Sequence, residues 1–399
     1  MMRRHDIIVV GGGMVGGTVA GLLARLGLDV AVVEGREPAP WSPDQVPDVR
    51  VSSVNAASQR VFAACGAWSG MVARRTCPFR RLQAWDVARR GKTSFDASEL
   101  GEDILGWFVE NRIIQLALWE ALAEHQDVHR YCPAQPRALH ESSDAVDLEL
   151  QDERILRASL LVGADGAGSF VRRQAGIESV EHDYRQHALV VSAATRLPQQ
   201  DITWQQFTPS GPQAFLPLQG SHACLVWYDS PDSVRRRVNL SDEALRERIE
   251  VAFPEELGGL QAVLGRGSFP IRRSHARRYR NHRVVLVGDA AHVIHPLAGQ
   301  GLNLGIQDAA VLARLVERVA ERGGDIGSPA VLAGYEARRR PANLAMTVAT
   351  DAFHRAFSEA WPGVQKFAGL GLGIANQLGP AKRLVMRHAM GLTRVSGVE

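Results

Sequence analysis

Apolar and polar positions are arranged differently in the first, middle and last parts of the chain. Asp6-Ile7-Ile8-Val9-Val10 is a continuous apolar, β-branched run that ends on glycines. Its shortness predicts a buried strand rather than a helix. Gly17 to Leu26 is rich in Ala and Leu at helical spacing, Gly27 ends it, and Asp29-Val30-Ala31-Val32-Val33 is a second strand closing on Glu34. Ser159 to Val162 and Arg283 to Val287 read as further strands, and Leu302 to Val319 has helical apolar spacing.

Residues 186 to 279 follow another rhythm. Leu189–Ala193, Thr203–Phe207, Ala214–Leu218 and Ala223–Tyr228 read as strands, separated by turn signals such as Pro209-Ser210-Gly211-Pro212. They predict a mainly antiparallel sheet, to which the strand-like residues 76 to 100 are expected to add. From Ser328 the pattern is helical: Pro329 to Arg340, a continuation past Pro341, then Trp361 to Gly391.

The implied class is α/β. A Rossmann-like nucleotide-binding domain is assembled from residues 1–75, 101–185 and 280–340. A second, sheet-built domain is inserted as residues 76–100 and 186–279, and a helical region follows at 341–399. A chain of 399 residues is long enough for two such cores.

Composition narrows the function classes. A hydrophobic share of 45% with 22% charged residues is that of an ordinary soluble globular protein. A net charge of +3 gives no argument for nucleic-acid binding. Cys65, Cys77, Cys132 and Cys224 form no CxxC pair, which suits a reducing cytoplasm better than a disulfide framework. Arg3 and Arg4 precede an apolar run too short for a targeting signal, and no stretch reads as a membrane-spanning helix.

The chemistry begins at Gly11-Gly12-Gly13-Met14-Val15-Gly16, which fits G-x-G-x-x-G between a strand and a helix. Gly11 allows the tight turn, Gly13 lets backbone approach a pyrophosphate, and Gly16 lets the helix pack on the strand. Val15 lies in the same turn. The helix N-terminus offers free N–H groups to phosphates. Glu34 is placed to accept hydrogen bonds from a ribose. This motif alone does not separate FAD from NAD.

Two later segments do. The strand at 159–162 runs into Gly163-Ala164-Asp165-Gly166. The strand at 283–287 runs into Gly288-Asp289-Ala290-Ala291-His292, then His295-Pro296-Leu297-Ala298-Gly299-Gln300-Gly301-Leu302-Asn303. Together the three segments resemble the fingerprints of the para-hydroxybenzoate-hydroxylase-like flavin monooxygenases, in the same order. The resemblance implies permanently bound FAD and a transient visit by NAD(P)H. It assigns the glycine turn to the ADP half, Asp289 to the ribityl chain, and Asp165 and Gly166 to FAD and the nicotinamide donor. Gly288, Pro296, Gly299, Gly301, Leu302 and Asn303 complete the implied cofactor set. Arg50 is implied as a phosphate partner, with a plain surface arginine as the alternative. Asn111 stands where the family often carries Arg or Gln, and it reads equally well as a helix cap.

Within that group, Thr203–Pro209, Phe215–Leu218 and Leu225–Pro231 resemble the ubiquinone-biosynthesis hydroxylases. A polyprenylated benzoquinol substrate and O2 follow from the resemblance. Pro296 and the backbone of Leu297 and Ala298 are expected to border the flavin, with His295 as a proton relay. Gln206, Phe215 and Pro217 are the expected pocket walls. His292 and His295 are not read as a metal pair, since no third ligand stands in register with them. The stretch 361–391 mixes apolar residues with Lys382, Arg383, Arg387 and His388. It suits either packing on the protein body or contact with a membrane surface. The expected location is cytoplasmic, peripheral to the inner face of the membrane if that contact is made. Competing readings are a sister hydroxylase for another ring carbon or a soluble phenol, a flavin reductase or oxidase that inserts no oxygen, and a non-catalytic FAD-binding partner.

Overall fold

The computed structural model describes residues 2–88, 91–296, 299–358 and Met390. The apolar runs form a mainly parallel sheet, with its outermost pair, Arg280–Asn281 and Val284–Leu286, antiparallel. Its order is Arg280–Asn281, Val284–Leu286, Ile155–Gly163, Met2–Val10, Val30–Val33 and Val128–Tyr131, with the hairpin Pro136–Glu141/Val146–Leu150 added antiparallel to Ile155–Gly163. Ile7, Ile8 and Leu160 are fully buried, as continuous apolar strands covered on both faces should be. Helices Met14–Ala24 and Gly301–Ala320 lie against each other.

The second sheet has eight strands, in the order His292–Val293, Leu260–Ala276, Ser179–Thr195, His222–Asp229, Gly211–Leu218, Ile202–Thr208, Arg81–Asp86 and Lys92–Asp96. Its pairings are antiparallel except that between Ile202–Thr208 and Arg81–Asp86. Two details differ from the pattern-based reading. Cys77–Phe79 joins Val51–Asn55 and Gly106–Glu110 in a separate three-stranded sheet. The long first strand of the inserted domain starts already at Ser179.

Strand alternation gives the inserted sheet two faces with different duties. Trp204, Phe215, Leu225 and Trp227 pack with Val234, Leu245, Ile249 and Phe253 of helices Pro231–Val238 and Asp242–Ala252. Ala188, Val190, Cys224 and Tyr228 on the other face pack with Phe79 and Phe108, on the nucleotide-domain side.

The last described helix, Pro329–Ser358, runs through Pro341 without ending. It joins the two halves. Tyr335 donates to Leu286 O in the nucleotide sheet at 3.0 Å, while Asp351 accepts from Tyr184 of the inserted sheet and pairs with Arg273 at 3.0 Å. The expected helix 361–391 lies outside the described residues, apart from Met390.

Candidate active site

The glycine turn is built as its sequence demands. Gly11 has φ +101°, and a Cβ there would sit 2.4 Å from Ala164 O. A Cβ on Gly16 would sit 1.8 Å from Gly11 O, so the helix can approach the strand only without a side chain. Above Gly13, Gly166 and Gly301 a Cβ would meet nothing within 4 Å, so three separate backbone segments leave open space. The helix at Gly301 begins without a side-chain cap.

Glu34 receives Gly12 N at 2.7 Å and Arg36 N at 3.1 Å, which fixes its carboxylate beside the turn with acceptor capacity to spare. Two residues that pattern reading missed hold the turn from below. Trp119 Nε1 and Gln115 Nε2 donate to Gly12 O at 2.7 and 3.2 Å. Their signal was their spacing on one face of helix Asn111–Ala123.

Asp289 and Arg50 are both exposed, and neither has a hydrogen-bond or ion-pair partner for its side chain among the described residues. Protein mass around Asp289 raises its carboxyl pKa, while the charges of His292 and Arg50 pull it back down. An accessible carboxylate ringed by protein and left without donors suits the hydroxyls of a ribityl chain. The residues present therefore fit FAD.

Several assignments need correction. Asp165 is engaged within the chain: Oδ1 accepts from Ser169 Oγ at 2.5 Å and Oδ2 from Val171 N at 3.0 Å. It holds the turn into helix Phe170–Gln174. The buried Asn303 accepts from Asn55 N at 3.1 Å and Ser58 Oγ at 2.7 Å, and donates to Ser53 O at 2.9 Å. Its side chain ties the Pro296–Gly301 loop to strand Val51–Asn55 and has none left for a cofactor. Leu302 and Val15 pack in the hydrophobic cluster beneath the site, where Val15 also receives the close approach of Gly288. Asn111 is the first helical residue, not the cap, and its Oδ1 accepts from Ser52 Oγ at 2.7 Å.

The expected pocket walls face the wrong way. Phe215 stacks on Trp204 at 5.4 Å within the helix-covered core. Pro217 pairs with Ala223, and Gln206 with Gln213 and Trp85, so both share that face. Their neighbours Leu216, Val226 and Tyr228 lie in the cluster on the nucleotide-domain side.

That side meets His295. The ring is fully buried, and neither nitrogen has a hydrogen-bond partner among the described residues. It stacks on Tyr228 at 5.9 Å, meets Tyr184 edge-on at 4.7 Å and lies 4.6 Å from His354. Burial, with His354 adding to it, lowers its pKa to about 3, so the imidazole is neutral at working pH. Pro296 follows it, and Gly299 N donates back to Pro296 O at 3.2 Å. Leu297 and Ala298 lie outside the described residues. His292 does not pair with His295: its Nε2 binds Asp308 at 2.5 Å. Elsewhere, the ligand atoms of His5, Asp29 and His129 lie within 4.8 Å of one another, but His5 is bound to Asp29 and to Tyr131, and the Arg3 guanidinium sits on His129.

Asp308 is the other residue pattern reading passed over. It is fully buried and takes four donors: Gly288 N at 3.1 Å, His292 Nε2 at 2.5 Å, Arg339 Nε at 2.6 Å and Asn343 Nδ2 at 3.0 Å. His292 and Arg339 hold its carboxyl well below the usual range despite burial. One carboxylate thus fixes the Gly288-Asp289 turn to two helices.

Residues 4–350 match the family described as FAD binding domain. The chain is 42% identical over 387 residues to 3-demethoxyubiquinol 3-hydroxylase of Escherichia coli (strain K12), covering 97% of this chain and 98% of that one. The chain belongs to the FAD-dependent hydroxylases of ubiquinone biosynthesis. It is also 37% identical over 390 residues to ubiquinone hydroxylase UbiL of Rhodospirillum rubrum, covering 98% of this chain and 90% of that one. Among solved structures, PqsL, a probable FAD-dependent monooxygenase from Pseudomonas aeruginosa, aligns with TM-score 0.78 at 25% identity, covering 92% of this chain and 100% of that one. The p-nitrophenol 4-monooxygenase PnpA of Pseudomonas putida shares the fold, with TM-score 0.80 at 20% identity over 100% of both chains. This flavin hydroxylase therefore has the mixed α/β architecture of the FAD monooxygenases.

Proposed function

We propose that this hydroxylase inserts one atom of O2 into the ring of a polyprenylated benzoquinol that lacks one ring oxygen, with NAD(P)H as transient reductant. The observation that carries the reading is the 42% identity, over nearly the whole chain, to an enzyme named for that reaction on demethoxyubiquinol. The apolar side of the inserted sheet, with Leu216, Val226 and Tyr228, suits an electron-rich, poorly soluble ring.

When bound, FAD supplies the reduced ring that activates O2. The chain's own residues do the rest. The glycine turn and Glu34 would hold the nucleotide end, Arg50 would pair with its phosphates, and Asp289 would accept from the ribityl hydroxyls. Tyr228 and its neighbours exclude water from the ring to be oxidised, so that reducing power ends in product rather than peroxide. His295 stays neutral, so it could offer a quinol hydroxyl a hydrogen bond rather than take up its proton.

Removing the gene from a host that depends on it should cause the demethoxy quinone to accumulate. Accumulation of a quinone unsubstituted at another ring carbon would replace this reading with the sister activity, which the 37% identity to a second ubiquinone hydroxylase favours as runner-up.

We further propose that residues 361–391 bring the enzyme to the bilayer holding its substrate. No described helix is long and apolar enough to cross a membrane. Deleting residues 362–399 should abolish liposome association while FAD stays bound; undiminished association would refute this contact.

A further inference from the structure

We propose that a basic groove on the outer edge of the nucleotide domain binds a phosphate-bearing anion. The groove lies between Arg277–Asn281 and helix Pro329–Ser358 and encloses about 410 Å³. Its lining carries four arginines, Arg277, Arg278, Arg280 and Arg340, against a single carboxylate, Glu336.

The internal pairings do not use up this charge. Arg277 meets Glu178 at 3.2 Å on the open surface, and Arg280 meets Glu336 at 3.3 Å. Glu336 also accepts Tyr279 N at 2.7 Å. Arg278 and Arg340 have no anionic partner among the described residues, and Arg340 Nε is buried without any hydrogen-bond partner. Arg340 is half-buried, so its terminal N–H groups remain available to an anion in the groove while its Nε is covered by protein. Forked guanidinium groups from two walls match the oxygens of a phosphate or pyrophosphate better than a single carboxylate.

The groove is distinct from the FAD site. Arg280–Asn281 is the outermost strand of its sheet, with Val284–Leu286 and Ile155–Gly163 between it and strand Met2–Val10, which leads into Gly11. It is nevertheless connected to the cofactor turn, because Arg340 follows Arg339, whose guanidinium binds Asp308 at 2.6 Å, which in turn holds Gly288 N at 3.1 Å. Two sources carry such an anion: a soluble dinucleotide and a phospholipid headgroup.

The test uses the FAD-loaded, full-length protein, so that the cofactor site is filled. Calorimetric titration with inorganic pyrophosphate at about 0.15 M salt should show saturable binding. Arg278→Gln and Arg340→Gln should each weaken it about tenfold. Arg278 is exposed, so its variant keeps the test informative if Arg340→Gln folds poorly. Flavin content and visible spectrum should be unchanged in Arg278→Gln. Competition by oxidised NADP, but not by vesicles containing phosphatidylglycerol, assigns the dinucleotide; the reverse assigns the headgroup. Competition by neither leaves a site for a free phosphate ester. Absence of saturable pyrophosphate binding, or affinity in both variants unchanged from that of the unsubstituted protein, would overturn the proposal.

Discussion

Replacing Asp308 by Asn keeps the shape of the side chain and removes its charge. The native carboxylate satisfies four donors, two on each oxygen, and the variant must turn an NH2 toward one of those pairs. Arg339 is fully buried and keeps its charge after losing its counterion. Breaking a buried ion pair from one side costs about 3–5 kcal/mol. That is a large fraction of the roughly 5–15 kcal/mol that holds a typical domain together. Part of the loss should fall on the Gly288-Asp289 turn, so the FAD Kd should rise about tenfold, equivalent to about 1.4 kcal/mol. Urea unfolding of FAD-free protein reads the first effect, and flavin fluorescence on titrating apoprotein reads the second. Adding Arg339→Gln removes the stranded charge. The double variant should therefore be at least about 1 kcal/mol more stable than the sum of the single effects allows. A loss under about 1 kcal/mol in Asp308→Asn with unchanged FAD affinity would refute the idea that this carboxylate sets the turn.

Further expectations follow from the same geometry. Asp289→Asn should raise the FAD Kd roughly tenfold to a hundredfold, the worth of a charge-assisted hydrogen bond, with little change in unfolding of the FAD-free protein, as flavin fluorescence and urea titration would show. Phe215→Leu should lower stability by about 1 kcal/mol or more and leave kcat/KM for the quinol within about twofold, whereas Leu216→Asn should raise KM; the opposite pattern in steady-state assays would return Phe215 to the pocket. Burial lowers the pKa of His295 to about 3 and that of His275 to about 4, so the folded protein cannot take up protons that the unfolded chain binds below about 6.5. Stability contributed by these neutral rings is intact above that pH and falls toward acid, by up to roughly 1.4 kcal/mol per pH unit for each ring; denaturation midpoints that stay level between pH 6.5 and 4.5 would contradict it.

Backbone demands were legible in the sequence where side-chain duties were not. Gly11 and Gly16 sit where only hydrogen fits, and no alternative residue type satisfies the contacts with Ala164 O and Gly11 O. The apolar strands were equally plain, because runs such as Ile7–Val10 have no second use. Asp165 and Asn303 show the limit. A carboxylate or amide in a glycine-rich turn serves a ligand or its own chain with the same chemistry, and here both bind backbone and serine hydroxyl groups of the chain. Phe215 shows another. A period of two fixes that Phe215 and Pro217 share a face, but which face meets the cofactor depends on where the helices lie. Those helices, Pro231–Val238 and Asp242–Ala252, carried signals of their own: Ser230 before a proline at the first turn, and Ser241 before Asp242 and Glu243. Asp308 and Arg339 were hidden because each looks like one polar interruption in an otherwise ordinary helix, and only folding brings them together.

The most direct test of the hydroxylase reading follows the oxygen itself. Purified enzyme with FAD, NAD(P)H and a short-chain demethoxyubiquinol, run under 18O2, should yield product heavier by one labelled oxygen atom per turnover, and unlabelled product when the label is placed in water. Label entering from water, or consumption of NAD(P)H and O2 with peroxide as the sole oxygen-derived product, would contradict it.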